Sequence, residues 1–224
     1  MAPVLGYWNI RGLAQPIRLL LNYKEAVYED KRYNYGPAPD FSREEWNKEK
    51  YSLGLSFPNL PYYIDGDTKL TQSKAILRHL ARKYELDGQT ESEKQRIDQL
   101  CYQLTDLMSS FTSMCYNPDF EKLKPDYVKG LPEKLKSLAQ FLGENKFVTG
   151  ENLSFVDFLL FEFIDQQLYL LPSCLNEFPN LKDFHSSFKA IPTIEKYLKS
   201  DQYIKWPLNG DRAKFGSRHN LPEE

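Results

Sequence analysis

The chain has 224 residues, 41% of them hydrophobic and 27% charged, with 29 Lys and Arg against 31 Asp and Glu. This composition fits one large or two small packed domains and excludes a disordered chain, and a formal net charge of -2 offers no electrostatic footprint for nucleic acid. The segment Met1 to Gly6 has no basic stretch ahead of an apolar one and is not expected to be a signal peptide; no apolar run approaches the roughly 18 residues of a membrane span.

Along the first 85 or so residues, short strand-like and helix-like pieces alternate. Val4 to Trp8 is a short apolar run that ends at a Gly-containing loop. A helical pattern starts at Gln15, with Pro16 in the first turn, where its missing N–H costs nothing. Val27 to Tyr33 alternates like a second strand, and Asn34 to Lys50 is a polar stretch of loop and short helix. Leu60 to Asp65 is predicted as a strand, turning at Asp65-Gly66-Asp67 into a hairpin partner at Lys69 to Thr71. A helix from about Ser73 to Tyr84 carries Ile76, Leu77, Leu80 and Ala81 as its apolar stripe. The order βαβ…ββα matches a thioredoxin-like domain.

Past Leu86-Asp87-Gly88 the texture becomes all-helical. Ile97, Leu100, Leu104, Leu107, Met108 and Phe111 keep helical spacing over about Glu91 to Met114. Pro125 and Gly130-Leu131-Pro132 read as breaks, with a separate helix from about Pro132 to Glu144. Ser154 and Asp157 form a variant of the capping box, flanked by Leu153 and Phe158 as a hydrophobic staple, which gives Asp157 a structural role. The fold class expected is α/β plus all-α: residues 1–86 thioredoxin-like, residues 87–224 a helical bundle.

The three cysteines, Cys101, Cys115 and Cys174, show no C-x-x-C spacing, and the histidines, His79, His185 and His219, are scattered. No dithiol redox motif and no metal site is expected, and an odd set of separate thiols suits a reducing, cytoplasmic compartment.

Three segments could hold chemistry. Tyr7 ends the first strand near a helix N-terminus, where N–H groups and the helix dipole favour an anion. Gln72-Ser73 opens another helix, and Pro61 begins a strand, a position open to a cis bond. Taken singly, Tyr7 reads first as a packed tyrosine, Ser73 as an N-cap and Pro61 as an ordinary trans loop proline.

Together, Gly6-Tyr7-Trp8-Asn9-Ile10-Arg11-Gly12, Gly54-Leu55-Ser56-Phe57-Pro58-Asn59-Leu60-Pro61-Tyr62 and Thr71-Gln72-Ser73-Lys74-Ala75-Ile76-Leu77 resemble the glutathione-binding motifs of mu-class glutathione transferases. Cys115-Tyr116-Asn117-Pro118, Phe120 to Pro125 and Phe155-Val156-Asp157-Phe158 extend the resemblance from Leu5 to about Lys199. It implies a cytoplasmic homodimeric enzyme that activates the glutathione thiol for attack on hydrophobic electrophiles, with glutathione as co-substrate and no other cofactor.

By position, Tyr7 resembles the tyrosine that donates to the sulfur. Trp8, Arg43, Trp46 and Lys50 resemble the residues around the glycyl end. Asn59, Leu60 and a cis Pro61 would hold the cysteinyl segment, and Gln72 and Ser73 the γ-glutamyl end, with Asp106 reaching it from the neighbouring subunit. Phe57 resembles an aromatic key inserted into the partner. The apolar pocket would be lined by Tyr7, Trp8, Leu13, the loop Tyr33 to Asp40, Tyr116 and Asn209. Leu107 stands where relatives often have His, and Asn9 where many have Asp, departures that bear on substrate preference. A non-catalytic carrier of hydrophobic ligands is the alternative, with intact Tyr7, Gln72, Ser73 and Asp106 against it.

Overall fold

A computed structural model describes residues 2–220. Four strands form one mixed sheet in the order β2-β1-β3-β4. β1 (Val4–Trp8) runs parallel to β2 (Glu29–Tyr33), with Tyr7 opposite Arg32, and antiparallel to β3 (Tyr62–Asp65). β3 turns through Gly66-Asp67 into β4 (Thr68–Thr71). The parallel pair needs a crossover, supplied by α1 (Gln15–Tyr23). A one-turn helix, α2 (Glu44–Asn47), interrupts the following loop, and α3 (Ser73–Lys83) closes this part of the chain with the stripe read from the sequence fully buried.

The helical part comprises α4 (Glu91–Tyr116), α5 (Phe120–Leu142), α6 (Phe155–Leu170), α7 (Pro179–Lys189) and α8 (Pro192–Leu198). α5 corrects one expectation: Pro125 and Pro132 lie within a single helix and do not divide it. They stand seven residues apart, both on the exposed side of the helix. The opposite face buries Tyr127, Leu131, Leu135, Leu138 and Leu142 in an unbroken stripe.

α6 is apolar almost all round and sits at the centre, touching α1, α4 and α7. Its start is fixed by Asp157, whose carboxylate accepts from the Ser154 N–H (2.8 Å) and hydroxyl (2.7 Å) and from the Val148 N–H (2.8 Å). Two carboxylates, Glu162 and Asp165, interrupt the apolar surface of α6. Arg11, from the loop after β1, meets both: Nε and Nη2 donate to Glu162 at 3.1 and 2.5 Å, and Nη2 donates to Asp165 at 2.8 Å. Arg11 and Glu162 are wholly buried. Burial opposes the ionisation of Asp165, yet Arg11 and His185, 2.9 Å away, hold its carboxyl down at about 2. Tyr169 and Tyr203 flank the guanidinium at 5.8 and 5.7 Å.

A second buried arginine, Arg18, donates to the Ile10 carbonyl (2.7 Å) and to Asp30 (3.1 Å). The loop between Trp8 and Gly12 is therefore held from α1 by Arg18 and from α6 through Arg11. Removing one partner of a buried ion pair leaves an uncompensated charge, so Arg11→Ala is expected to lower the unfolding free energy by about 3–5 kcal/mol. The double replacement Arg11→Met with Glu162→Leu is expected to recover at least half of that. Equilibrium urea unfolding measures both, and a single-variant loss under about 1 kcal/mol would contradict the assignment.

Candidate functional site

Tyr7, one residue before the end of β1, is only 6% exposed and belongs to a buried cluster with Ile10 and Ala14. Its Oη accepts the Leu13 N–H at 3.1 Å, one of the free donors of the 3₁₀ turn Gly12–Ala14 that leads into α1. Burial pushes the phenol up to about 12 against the opposing pull of that N–H. The hydroxyl is thus protonated at neutral pH, with a lone pair occupied and its proton free to donate to an anion. Gly12 makes this geometry possible: its φ is +41°, and a Cβ there would stand 2.7 Å from the Tyr7 oxygen.

Tyr7 opens into a cavity of about 500 Å3 between the β1–α1 loop and α4. Leu13, Tyr116 and Asn209, placed in the substrate pocket from the sequence, all line it, joined by Met108, Thr112, Gln166 and Lys74. Tyr116 repeats the arrangement of Tyr7. Its Oη accepts the Gly210 N–H at 2.6 Å, and burial raises its pKa, so its proton too is free. A Cβ on Gly210 would lie 3.0 Å from the Tyr116 and Tyr35 hydroxyls.

The C-terminal segment, which the sequence left unread, builds this wall. Pro207 and Leu208 carbonyls accept the Arg11 and Gly12 N–H groups at 3.0 Å, pairing tail and loop edge to edge. Asn209 is pinned by its N–H to Gly216 (2.8 Å) and its amide to Phe215 (3.0 Å). From the 33–40 loop, Tyr35 brings its hydroxyl beside that of Tyr116 at Gly210 and stacks on Trp8 at 4.2 Å, while Pro39 and Asp40 line a neighbouring open cavity that shares Tyr116. Leu107 faces away from Tyr7, into a cavity between α4 and α5 with Leu100, Leu138 and Phe141. Its difference from relatives therefore bears on that second surface.

Other residues singled out from the sequence surround β1 and β3. Trp46 is buried between Tyr33 (5.4 Å) and Tyr62 (5.9 Å), Lys50 is half-buried and Arg43 exposed. The Leu60–Pro61 bond is cis, and the Leu60 N–H donates to Asn59 Oδ1 at 2.9 Å. At the start of α3, Gln72, not Ser73, takes the N-cap position; Ser73 is the first helical residue. Gln72 sits at φ 70°, a left-handed conformation that costs a non-glycine residue of order 1–3 kcal/mol and concentrates at binding sites. Asp106 and Phe57 are exposed. Among the described residues, no group of three or more His, Cys, Asp or Glu is arranged to hold a metal.

Arg11, Arg18 and Lys74 received no role from the sequence. Arg11 left a signal: two carboxylates inside an apolar helix require a buried cation. Lys74 left none, since a lysine in the first turn of a helix is ordinarily solvated.

A phenol donor at a helix start, opening on an apolar cleft, suits an enzyme that binds a small anionic nucleophile beside an apolar co-substrate. The model for the glutathione S-transferase N-terminal domain matches residues 3–82, and that for the C-terminal domain residues 105–201. Glutathione S-transferase Mu 1 of Mus musculus is 48% identical over 97% of this chain and 100% of its own length. Glutathione S-transferase Mu 1 of Oryctolagus cuniculus is 52% identical over 93% of this chain and 95% of its own. Among solved structures, the pi-class enzyme of Onchocerca volvulus superposes with a TM-score of 0.84 at 36% identity, covering 95% of this chain and all of that one. The chain belongs to the glutathione S-transferase family. Its curated relatives are of the mu class, and it is a glutathione transferase of that class.

Gly12→Ala is expected to displace the Tyr7 hydroxyl and to cost about 1–3 kcal/mol, from the forced φ and the overpacking together. Thermal unfolding measures the cost and a crystal structure the displacement; a tyrosine left in place with unchanged stability would contradict it.

Proposed function

We propose that Tyr7 is the catalytic group and holds the sulfur of bound glutathione as a thiolate by donating its hydroxyl proton. The supporting observation is its buried, protonated phenol with a lone pair engaged by Leu13, facing the cavity. A free thiol has a pKa near ~8.5, and lowering it by about two units requires roughly 2.7 kcal/mol. One hydrogen bond to a charged acceptor contributes about 1.5–3 kcal/mol, so a single phenol is of the right strength. The thiolate then attacks a hydrophobic electrophile beside Leu13, Tyr116 and Asn209, with Tyr116 donating to charge that develops on it.

The rest of the tripeptide takes the remaining residues. Gln72, Ser73 and the N-terminus of α3 receive the γ-glutamyl carboxylate. The Leu60 N–H exchanges its bond to Asn59 for the cysteinyl backbone, ahead of Pro61. Trp8, Arg43, Trp46 and Lys50 hold the glycyl end. Asp106 of the partner subunit reaches the γ-glutamyl amine. The glutathione-binding unit is residues 1–86 and the helical unit 87–224, and no cofactor beyond the co-substrate is called for.

The enzyme works as a homodimer in the cytoplasm. Phe57 is 73% exposed on the loop before β3, an unusual place for a large apolar ring. The cavity of about 380 Å3 between α4 and α5, with Leu100, Leu107, Leu138 and Phe141, offers a receptacle for it on a second copy. The three cysteines are free and buried, which suits a reducing compartment, and among the described residues no helix is long and apolar enough to cross a membrane. No observation favours the carrier reading over catalysis.

In Tyr7→Phe, the pKa of the bound glutathione thiol is expected to rise by about one to three units, read from thiolate absorbance against pH. An unchanged value removes Tyr7 from the mechanism. In the wild type, kcat/KM should climb with pH through the thiol pKa and then stay level up to about pH 10, because Tyr7 keeps its proton until about 12. A fall before then would make Tyr7 a weaker acid-holder than its burial implies. Phe57→Ser is expected to shift the protein towards monomer in sedimentation at micromolar concentration, and a wild-type monomer would refute the dimer.

A further inference from the structure

The cavity beside Tyr7 holds one charge that conjugation of a neutral electrophile does not use. Lys74, the second residue of α3, lines it, and no carboxylate does. Among the described residues Lys74 makes no ion pair. Its ammonium is half-buried, and burial holds its pKa below the ordinary lysine range. The ionisable group nearest in influence is Cys101, whose own burial keeps the thiol neutral. The polar groups that share the cavity, on Tyr7, Ser109, Thr112, Tyr116, Gln166 and Asn209, are uncharged.

A partly desolvated cation without a counter-charge is unfavourable until an anion reaches it. The same cavity receives a thiolate, whose negative charge repels any electrophile that is itself anionic. Lys74 offsets that repulsion from the opposite wall, on α3, while Tyr7 holds the sulfur at the β1–α1 loop.

We propose that Lys74 makes this enzyme selective for electrophiles that carry a carboxylate on the far side of an aromatic ring from the reactive carbon. The proposal rests on the reading that the electrophile occupies this cavity next to a thiolate held by Tyr7. In aromatic substitution the thiolate sulfur forms a bond to the chlorine-bearing ring carbon. The carbon–chlorine bond breaks and chloride leaves with its electron pair. The carboxylate is a bystander that Lys74 binds.

The test compares 4-chloro-3-nitrobenzoate with its neutral isostere 4-chloro-3-nitrobenzamide, each kcat/KM divided by the uncatalysed rate with glutathione. The benzoate-to-benzamide ratio within one variant cancels any general effect on the cleft. The ratio is expected to fall about tenfold in Lys74→Gln, equivalent to about 1.4 kcal/mol, and to stay within about twofold of wild type in Lys74→Arg. An unchanged ratio in Lys74→Gln overturns the proposal. A raised KM for glutathione with the ratio unchanged also overturns it, by assigning Lys74 to the γ-glutamyl end. Wild-type turnover of the benzamide but not of the benzoate also overturns the proposal, whereas the Tyr7 reading beneath it fails separately, on an unchanged bound-thiol pKa in Tyr7→Phe.

Discussion

The site depends on a charge buried far from water. Arg11 stands in the loop that follows the first strand, and its guanidinium is wholly enclosed against Glu162 and within 2.8 Å of Asp165 on α6. An ion of that kind in a protein interior is tolerable only with its partners in place, so loop and helix must meet in one register. The same loop carries Gly12 and Leu13, which position the Tyr7 hydroxyl, and its backbone pairs with Pro207 and Leu208 of the C-terminal segment. The buried pair adds little net stability against a well-packed apolar substitute. Its effect is to fix how the sheet, the central helix and the tail converge on one phenol.

Around that phenol, burial and hydrogen bonding act in opposite directions on the same group. Removal from water raises the pKa of Tyr7, and the Leu13 N–H pulls it down; burial wins, and the proton stays. A tyrosine that ionised near neutrality would itself be an anion and would repel a glutathione that arrives as the thiolate. A tyrosine held well above neutrality can only donate. The N–H of Leu13 contributes by occupying a lone pair on the oxygen, which aims the remaining proton outward. Tyr116 and the Gly210 N–H repeat this pairing on the facing wall. The cavity is therefore lined by two phenols whose oxygens each accept a backbone N–H and whose protons are left to donate.

Much of this was legible in the sequence where the signal is local. Short apolar or alternating runs located all four strands, helical spacing located α1, α3 and α4, and Ser154 with Asp157 marked the start of α6, while α7 and α8 were not read. The continuous α5 was not legible, because proline is read as a breaker from backbone chemistry alone. Here the buried stripe from Tyr127 to Leu142 outweighs the two hydrogen bonds that the exposed prolines cannot donate. Tyr7, Leu13, Tyr116 and Asn209 were recoverable only through family resemblance, since nothing local distinguishes Tyr7 from a packing tyrosine. Arg11 and Arg18 were missed because an arginine is read as a surface residue until its partners, 151 residues away for Glu162, are known. The tail was illegible for a related reason: its Pro207 and Leu208 carbonyls find their partners in the loop after β1, and its Gly210 and Lys214 N–H groups find theirs at the end of α4.

That distribution of constraint divides the site into a fixed half and a variable half. The side that holds Tyr7 is tied by strand pairing, two buried arginines and a glycine whose replacement would strike the tyrosine, so most changes there disturb the fold itself. The opposite wall is made by side chains on α3 and α4 and by a tail held through backbone hydrogen bonds, which depend little on the residues that make them. Substitution at Lys74, Met108, Thr112 or Asn209 alters the size and charge of the cavity without touching the Tyr7 hydroxyl. Activation of the thiol and choice of its target are thus carried by different parts of one cavity, and the second can change while the first is conserved by the physics of burial.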